Sequence, residues 1–296
     1  MNTTSERQPA YLIVNADDYG YFDCVSRGIL ESARHGIVTA TGIFATSANF
    51  NEHAGRLADV DSLDIGVHLN ITDQAPLTAA MRKKLSRWAG QFPGKYTVAR
   101  AVLSGAISSR DVKLEWQAQI ERCLEQGLNI AFLNSHEHIH MLPSLFPVVQ
   151  ELAAEYDILH VRFPTSELFR DLAIGAVIRD VIMKVTGLLN RRRCVEPTAH
   201  FLGMGNSGKL TVEYLLQRLP GLKPGGVYEL MCHPGFADRS EISDPRLLQY
   251  HNWNGEREAL TNPEVRDMLK NNGIRLIGYR HLEIQGTRLT VCNEAE

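Results

Sequence analysis

The feature that most constrains this chain is a rhythm of eight short runs rich in β-branched and aromatic residues. They are "YLIV" (11–14), "IVTATGIFA" (37–45), "DIGVHL" (64–69), "IAFLN" (130–134), "LHVRF" (159–163), "AHFLG" (199–203), "GVYELM" (226–231) and "GIRLIGY" (273–279). Helical patterns lie between most of them, at 24–35, 109–127, 144–156, 210–218 and 256–271. Strand then helix, repeated, predicts parallel β/α units. A closed barrel and an open doubly wound sheet both satisfy that rhythm. No G-x-G-x-x-G follows any run, which counts against a nucleotide-binding open sheet. The 296 residues suit one α/β domain.

Polar residues at the ends of the runs favour the barrel. Asp17 and Asp18 follow the first run, His68 ends the third, and "SHEHIH" (135–140) follows the fourth. Arg162 stands in the fifth and His233 follows the seventh. A parallel barrel gathers all its strand C-termini on one face, where its chemistry is done. Five of the eleven histidines fall at these positions, a concentration that scattered surface or core histidines would not produce.

Two adjacent carboxylates are costly unless a cation or proton is shared. One of Asp17 and Asp18 can hold a metal while the other takes a proton from water; a helix cap and turn is the simpler reading of "DDYG". His68 suits a metal ligand, or a hydrogen-bonded core histidine. In an extended segment His136, His138 and His140 would share one face, so some would bind metal and others would position ligand or substrate. Arg162 could keep Asp17 ionised or form a structural ion pair. His233 could protonate a leaving group. Cys232 beside it belongs to the strand, and alternation aims it away. Asp18, His68 and one of the later histidines have the composition of an open hydrolytic metal site. Asp/His/His composition suits Zn²⁺ better than Mg²⁺.

These motifs together resemble the YdjC/ChbG family of carbohydrate deacetylases: "IVNADDYG", "GVHLN", "NSHEHIHMLP" and "ELMCHPGF" occur in that family's order over about residues 11–283. The resemblance implies a metal-dependent N-deacetylase on a (β/α) barrel-like glycoside hydrolase/deacetylase fold with seven to eight parallel strands, related to the NodB-type enzymes and often dimeric. It implies Asp17 as catalytic base, His233 as general acid, Arg162 in an arginine motif, and Asp18, His68 and His136 as ligands of one divalent ion, Zn²⁺ or Mg²⁺. His138 and His140 remain positioning or substrate-binding residues. Chitooligosaccharide-type members commonly have Asp where Asn134 stands. Residues 165–209 form a longer segment, and "HFLGMGNSGKLT" is similar to the branch associated with hopanoid biosynthesis, whose sugars are attached to a lipid.

A single domain is therefore expected over 1–296, with a flexible tail at 1–10, a lid-like insertion at 70–108 and an extended helical segment at 165–209. Trp88, Phe92 and Tyr96 in the insertion would suit stacking on sugar faces, or would form a small core of their own. Leu168, Leu172, Ala176, Ile178, Ile182, Val185 and Leu189 recur at helical spacing, widened by Phe169, Ile174, Val177 and Val181, and the run ends in Arg191, Arg192 and Arg193. That pattern suits a helix lying on an anionic membrane, a barrel helix packed on its neighbours, or a dimer interface. A net charge of -3 gives no field that would recruit nucleic acid. Five cysteines without a C-x-x-C pair, a polar N-terminus and no apolar run of roughly 18 residues predict a cytoplasmic protein. The expected substrate is an N-acetylated saccharide or glycolipid, met at most peripherally at the membrane by a homodimer. A metal-dependent phosphoesterase and a catalytically inactive sugar-binding barrel are the competing readings. The former would want more carboxylates at the strand ends.

Overall fold

A computed structural model describes residues 8–165, 174–192, 194, 197–286 and 288–292. All eight β-rich runs contain strands: β1 (Ala10–Tyr19), β2 (Ala40–Ile43), β3 (Asp64–Leu69), β4 (Ile130–Ser135), β5 (His160–Val161), β6 (His200–Leu202), β7 (Val227–Cys232) and β8 (Ile274–Leu276). They form one sheet in the order β5-β4-β3-β2-β1-β7-β6, with β8 pairing the first residues of β1. Every pairing in it is parallel. A short antiparallel hairpin, β9 (Leu282–Gln285) and β10 (Arg288–Val291), follows. The barrel-like expectation holds, and the barrel is open: among the described residues β5 and β6 do not pair. The sheet is nevertheless curled. Arg162, just past the edge strand β5, reaches Glu229 on β7 near the other edge, Nε to Oε1 at 2.5 Å.

The strands read as apolar because both faces are covered. Leu12, Ile13, Val14 and Ala16 of β1 are all fully buried. Helices Asp23–His35, Ser109–Glu125 and Phe146–Glu155 match the helical patterns to within two residues at either end. The pattern at 256–271 is two helices, Trp253–Thr261 and Pro263–Asn271. Pro263 lacks the N–H that a continuous helix needs, and Asn262 caps the second through Glu264 N at 2.8 Å. Residues 1–7 lie outside the described chain, and Ala10, within the expected tail, already starts β1. In the segment 165–209 a helix spans Ile174–Asn190; Leu168, Phe169, Leu172 and Arg193 lie outside the described residues.

The stretch 70–108 folds as two α-helices, Ala79–Lys84 and Lys95–Leu103, with a short 3-10 turn, Ser86–Trp88, between them, around Met81, Leu85, Phe92, Val98 and Val102, all buried. Phe92 is thus spent on packing, whereas Tyr96 is 74% exposed. The root of the insertion is stitched to helix Ser109–Glu125. Buried Glu115 accepts from Leu77 N (2.8 Å), Thr78 N (3.0 Å) and Thr78 Oγ1 (2.7 Å). Gln119 pairs with the backbone N–H and carbonyl of Asn70, at 2.8 and 2.7 Å. Glu115→Ala strands two backbone donors, and is expected to cost about 3 kcal/mol. Thermal unfolding followed by circular dichroism should show a midpoint lowered by several degrees. An unchanged midpoint would mean that the insertion is held by its apolar core alone.

Candidate metal centre

β1 ends by breaking its own alternation. In a regular strand Asp17 and Asp18 would point to opposite faces. The pairing of β1 with β2 shifts register between Ala16 and Tyr19, and Asp18 takes a left-handed φ of 73°. Both carboxylates, each 3% exposed, thereby enter one pocket with separate partners.

Asp17 belongs to a network of donors. Its Oδ1 accepts from Asn15 Nδ2 (2.7 Å) and Asn134 Nδ2 (2.9 Å), and its Oδ2 accepts from Arg162 Nη1 (2.6 Å). Burial opposes the charge, but Arg162 and the neighbouring His68 outweigh it and take the carboxyl down to about 2. Arg162 is itself buried and balanced between Asp17 and Glu229, which raise its basicity against the effect of burial. A carboxylate has about four lone-pair positions, and among the described residues three are filled, which leaves one on Oδ2.

Asp18 faces two imidazoles. Its Oδ1 lies 3.0 Å from His136 Nδ1 and 3.3 Å from His68 Nε2. One donor atom from each of Asp18, His68 and His136 falls within 4.8 Å of the other two. Burial disfavours the charge on Asp18, yet His136 and His68 hold it well below the carboxylate range. Burial likewise disfavours a charged His136, yet Asp18 raises it to about 9.

The donor set fits a divalent cation, for a reason that starts at Asp17. That carboxylate can only accept, so Asn134 turns its Nδ2 toward it and its Oδ1 toward His68 Nδ1, 2.7 Å away. A neutral His68 must then carry its proton on Nδ1, leaving the Nε2 lone pair facing an Asp18 oxygen. Two lone pairs 3.3 Å apart want a cation between them. Gly42 on β2 makes room for the pair, since a Cβ there would sit 3.0 Å from Asn134 Oδ1 and 3.1 Å from His68 Cβ. Phe44 walls the imidazoles of His68 and His136, tilted against the first and edge-on to the second, 5.0 Å between ring centres in each case.

The three histidines after β4 do not share a face. Residues His136–Met141 form a tight turn, kinked where Glu137 and His138 adopt φ of 54° and 52°. A turn has no two-residue repeat, so each ring goes its own way. His136 meets Asp18. His138 packs edge-on to Phe201 at 5.9 Å, and burial, then Arg162, pushes it well down. His140 is fully buried between Ser135 Oγ (2.5 Å) and the Arg162 carbonyl (3.0 Å), and burial lowers it to about 4. It braces the turn and the Arg162 backbone.

His233, 7% exposed, follows β7, and its backbone N–H donates to Glu256 at 2.5 Å. Its ring centre lies 5.0 Å from that of His251. Cys232 points away, its Sγ 3.4 Å from the Asn15 carbonyl, and burial raises its thiol well above the ordinary value. Sequence reasoning missed Asn15, Glu229, Glu256 and His251. Alternation offered a signal for Asn15, two residues before Asp17 on the same face.

A family description of YdjC-like proteins matches residues 11–271. The chain belongs to the YdjC-like family. Among its YdjC-like relatives, a carbohydrate deacetylase of Geobacillus stearothermophilus is 31% identical over 92% of this chain and 98% of its own length. A chitooligosaccharide deacetylase of Yersinia enterocolitica is also 31% identical, over 90% of this chain and 97% of its own. The crystal structure of an Enterococcus faecalis protein, provisionally named for cellobiose-phosphate cleavage, superposes with a TM-score of 0.71 at 28% identity, covering 92% of this chain and 98% of that one.

Proposed function

We propose that this protein is a metal-dependent carbohydrate N-deacetylase, which hydrolyses the acetamide of an N-acetylated amino sugar to acetate and a free amine. The observation that carries the reading is the meeting of Asp18, His68 and His136 beside the Asp17–Arg162 pair. The naming of the Geobacillus and Yersinia relatives as deacetylases supports it.

Asp18, His68 and His136 would hold one divalent ion, zinc or magnesium, which when bound supplies Lewis-acid polarisation and makes water more acidic. Asp17 takes the proton of the attacking water at the open position on Oδ2. Arg162 and the two asparagines hold that carboxylate ionised and aimed. Asn134 fixes the His68 tautomer. His233 gives a proton to the leaving nitrogen, without which an amine anion would have to depart. His138 and His140 support the turn that carries His136. The test is acetate release from N-acetylated chito-oligosaccharides by the zinc- or magnesium-loaded protein, run beside p-nitrophenyl phosphate. Phosphate release without acetate release would replace this reading by phosphoester chemistry.

A finer reading concerns where the sugar is met. Helix Ile174–Asn190 leaves Val181, Ile182, Val185, Leu188 and Leu189 between 48% and 63% exposed, and exposed Arg191 and Arg192 follow. An apolar face ending in cations complements an anionic bilayer surface. On this reading the helix docks the enzyme where a lipid presents the acetylated sugar. Among the described residues no helix is long and apolar enough to cross a membrane. Co-sedimentation with vesicles containing phosphatidylglycerol should capture the wild type and release the variant with Arg191→Glu and Arg192→Glu. Equal behaviour of the two, with dimers in sedimentation velocity that Leu188→Glu dissociates, would assign the face to the expected homodimer instead.

A further inference from the structure

Two residues of one short stretch, His251 and Glu256, meet His233. Glu256 fixes the His233 backbone and also accepts from Leu210 N at 3.2 Å. Trp253, 1% exposed, packs under the same loop: its carbonyl accepts from Gly235 N at 3.2 Å, and a Cβ on Gly235 would sit 2.9 Å from its ring. His251 lies flat on Trp253, with ring centres 4.7 Å apart at 15°, and edge-on to Tyr250, 4.7 Å at 80°. The loop is tied down by Asn252 N, which donates to the Gly208 carbonyl at 2.7 Å. Gly208 has a φ of 76°, and a Cβ on it would stand 3.1 Å from His251 Nδ1. The His251 ring therefore lies against Trp253, Tyr250 and Gly208, and the ring of His233 stands 5.0 Å away.

That arrangement answers a need of the acid. A protonated imidazole has two N–H donors. If one serves the leaving nitrogen, the other needs an acceptor, and His233 Nδ1 is buried with no hydrogen-bond partner among the described residues. We propose that His251 is a positioning residue for His233, its imidazole accepting the second ring N–H of the protonated acid and so fixing the direction in which the first is delivered. Burial, then the nearby His233, takes His251 down to about 3, so it stays an acceptor at neutral pH. Nδ1 of His251, like Nδ1 of His233, is buried without a hydrogen-bond partner among the described residues, and the two ring centres stand 5.0 Å apart. This inference rests on the deacetylase reading, in which His233 is the acid.

Two substitutions give opposite orders for a hydrogen-bonding and a merely structural role. His251→Phe keeps a ring on Trp253 and removes the acceptor. His251→Gln keeps an acceptor and removes the ring. With the metal-loaded enzyme and an N-acetylated chito-oligosaccharide, His251→Phe is expected to lower kcat roughly 10–100-fold with KM little changed, as losses of orienting partners typically do. His251→Gln should retain the larger part of kcat. On a His233→Ala background, His251→Phe should cause no further loss, because the partner it serves is gone. Full kcat in His251→Phe, a worse defect in His251→Gln than in His251→Phe, or an additive loss on the His233→Ala background would each overturn the assignment. A wild type that releases no acetate would instead refute the deacetylase reading.

Discussion

Replacing Asp17 by asparagine is expected to abolish turnover while leaving the metal in place. The amide cannot accept the water proton, and a general base typically contributes about 10²–10⁴-fold. The substitution also turns an amide N–H₂ toward Asn15, Asn134 or Arg162, all of them donors, so the loss should lie at the upper end of that range. Arg162 keeps Glu229 as its counter-charge, and the fold should survive. Because the folded carboxyl titrates near 2, against an unfolded value near 3.8, Asp17 is ionised throughout the working range. The stability it lends is fully present above the unfolded value and fades as pH falls toward 2. The catalytic deficit should therefore be the same at about pH 6 as at about pH 8. Metal analysis and kcat, measured together on the same preparation, decide the matter. Near-normal kcat with full metal content would move the base elsewhere.

His68→Ala should lose the ion itself. The wild type is expected to carry about one divalent ion per chain, the number an open three-ligand site holds. Without the His68 imidazole, Asp18 and His136 remain as a carboxylate and a ring that Asp18 already keeps protonated up to about 9. A proton then satisfies the pair, and a cation must displace it to bind. Elemental analysis after dialysis should fall from about one ion per chain to about none, with activity falling alongside. Stoichiometric metal in the variant would sink the three-ligand assignment.

The parts of the site that were legible in the sequence are those written in strand periodicity. A polar residue ending a β-branched run marks a strand C-terminus, and parallel order brings such ends together. That logic reaches Asp17, Asp18, His68, Arg162 and His233 without coordinates. It fails where the chain leaves regular structure. The alternation of "HEHIH" looks like a strand, and only the left-handed Glu137 and His138 send its rings apart. It fails too for residues whose role is a partner's geometry. Asn134 can be quoted from the sequence, but its meaning depends on which of its two ends meets a group that can only accept. His251 sits on a loop 18 positions from His233, and no spacing rule joins them. The fold shows the same division: all eight runs contain strands, whereas the gap between edges β5 and β6, which do not pair with each other among the described residues, is invisible to a pattern that any curled parallel sheet would share.

The chain of contacts from Arg162 through Asp17 and Asn134 to His68 has a direction, because a guanidinium only donates and a carboxylate only accepts. Each member dictates the orientation of the next, like dominoes that can fall one way. Asp17 orients the Asn134 amide from one end, and an ion held at His68 Nε2, by keeping the proton on Nδ1, orients it from the other. The group that handles the proton and the group that would hold the ion are thus wired in series. Evolution of this pocket toward a different pH or a different metal must rewrite both ends at once, and an aspartate at position 134 would have to bring its own proton to close the circuit.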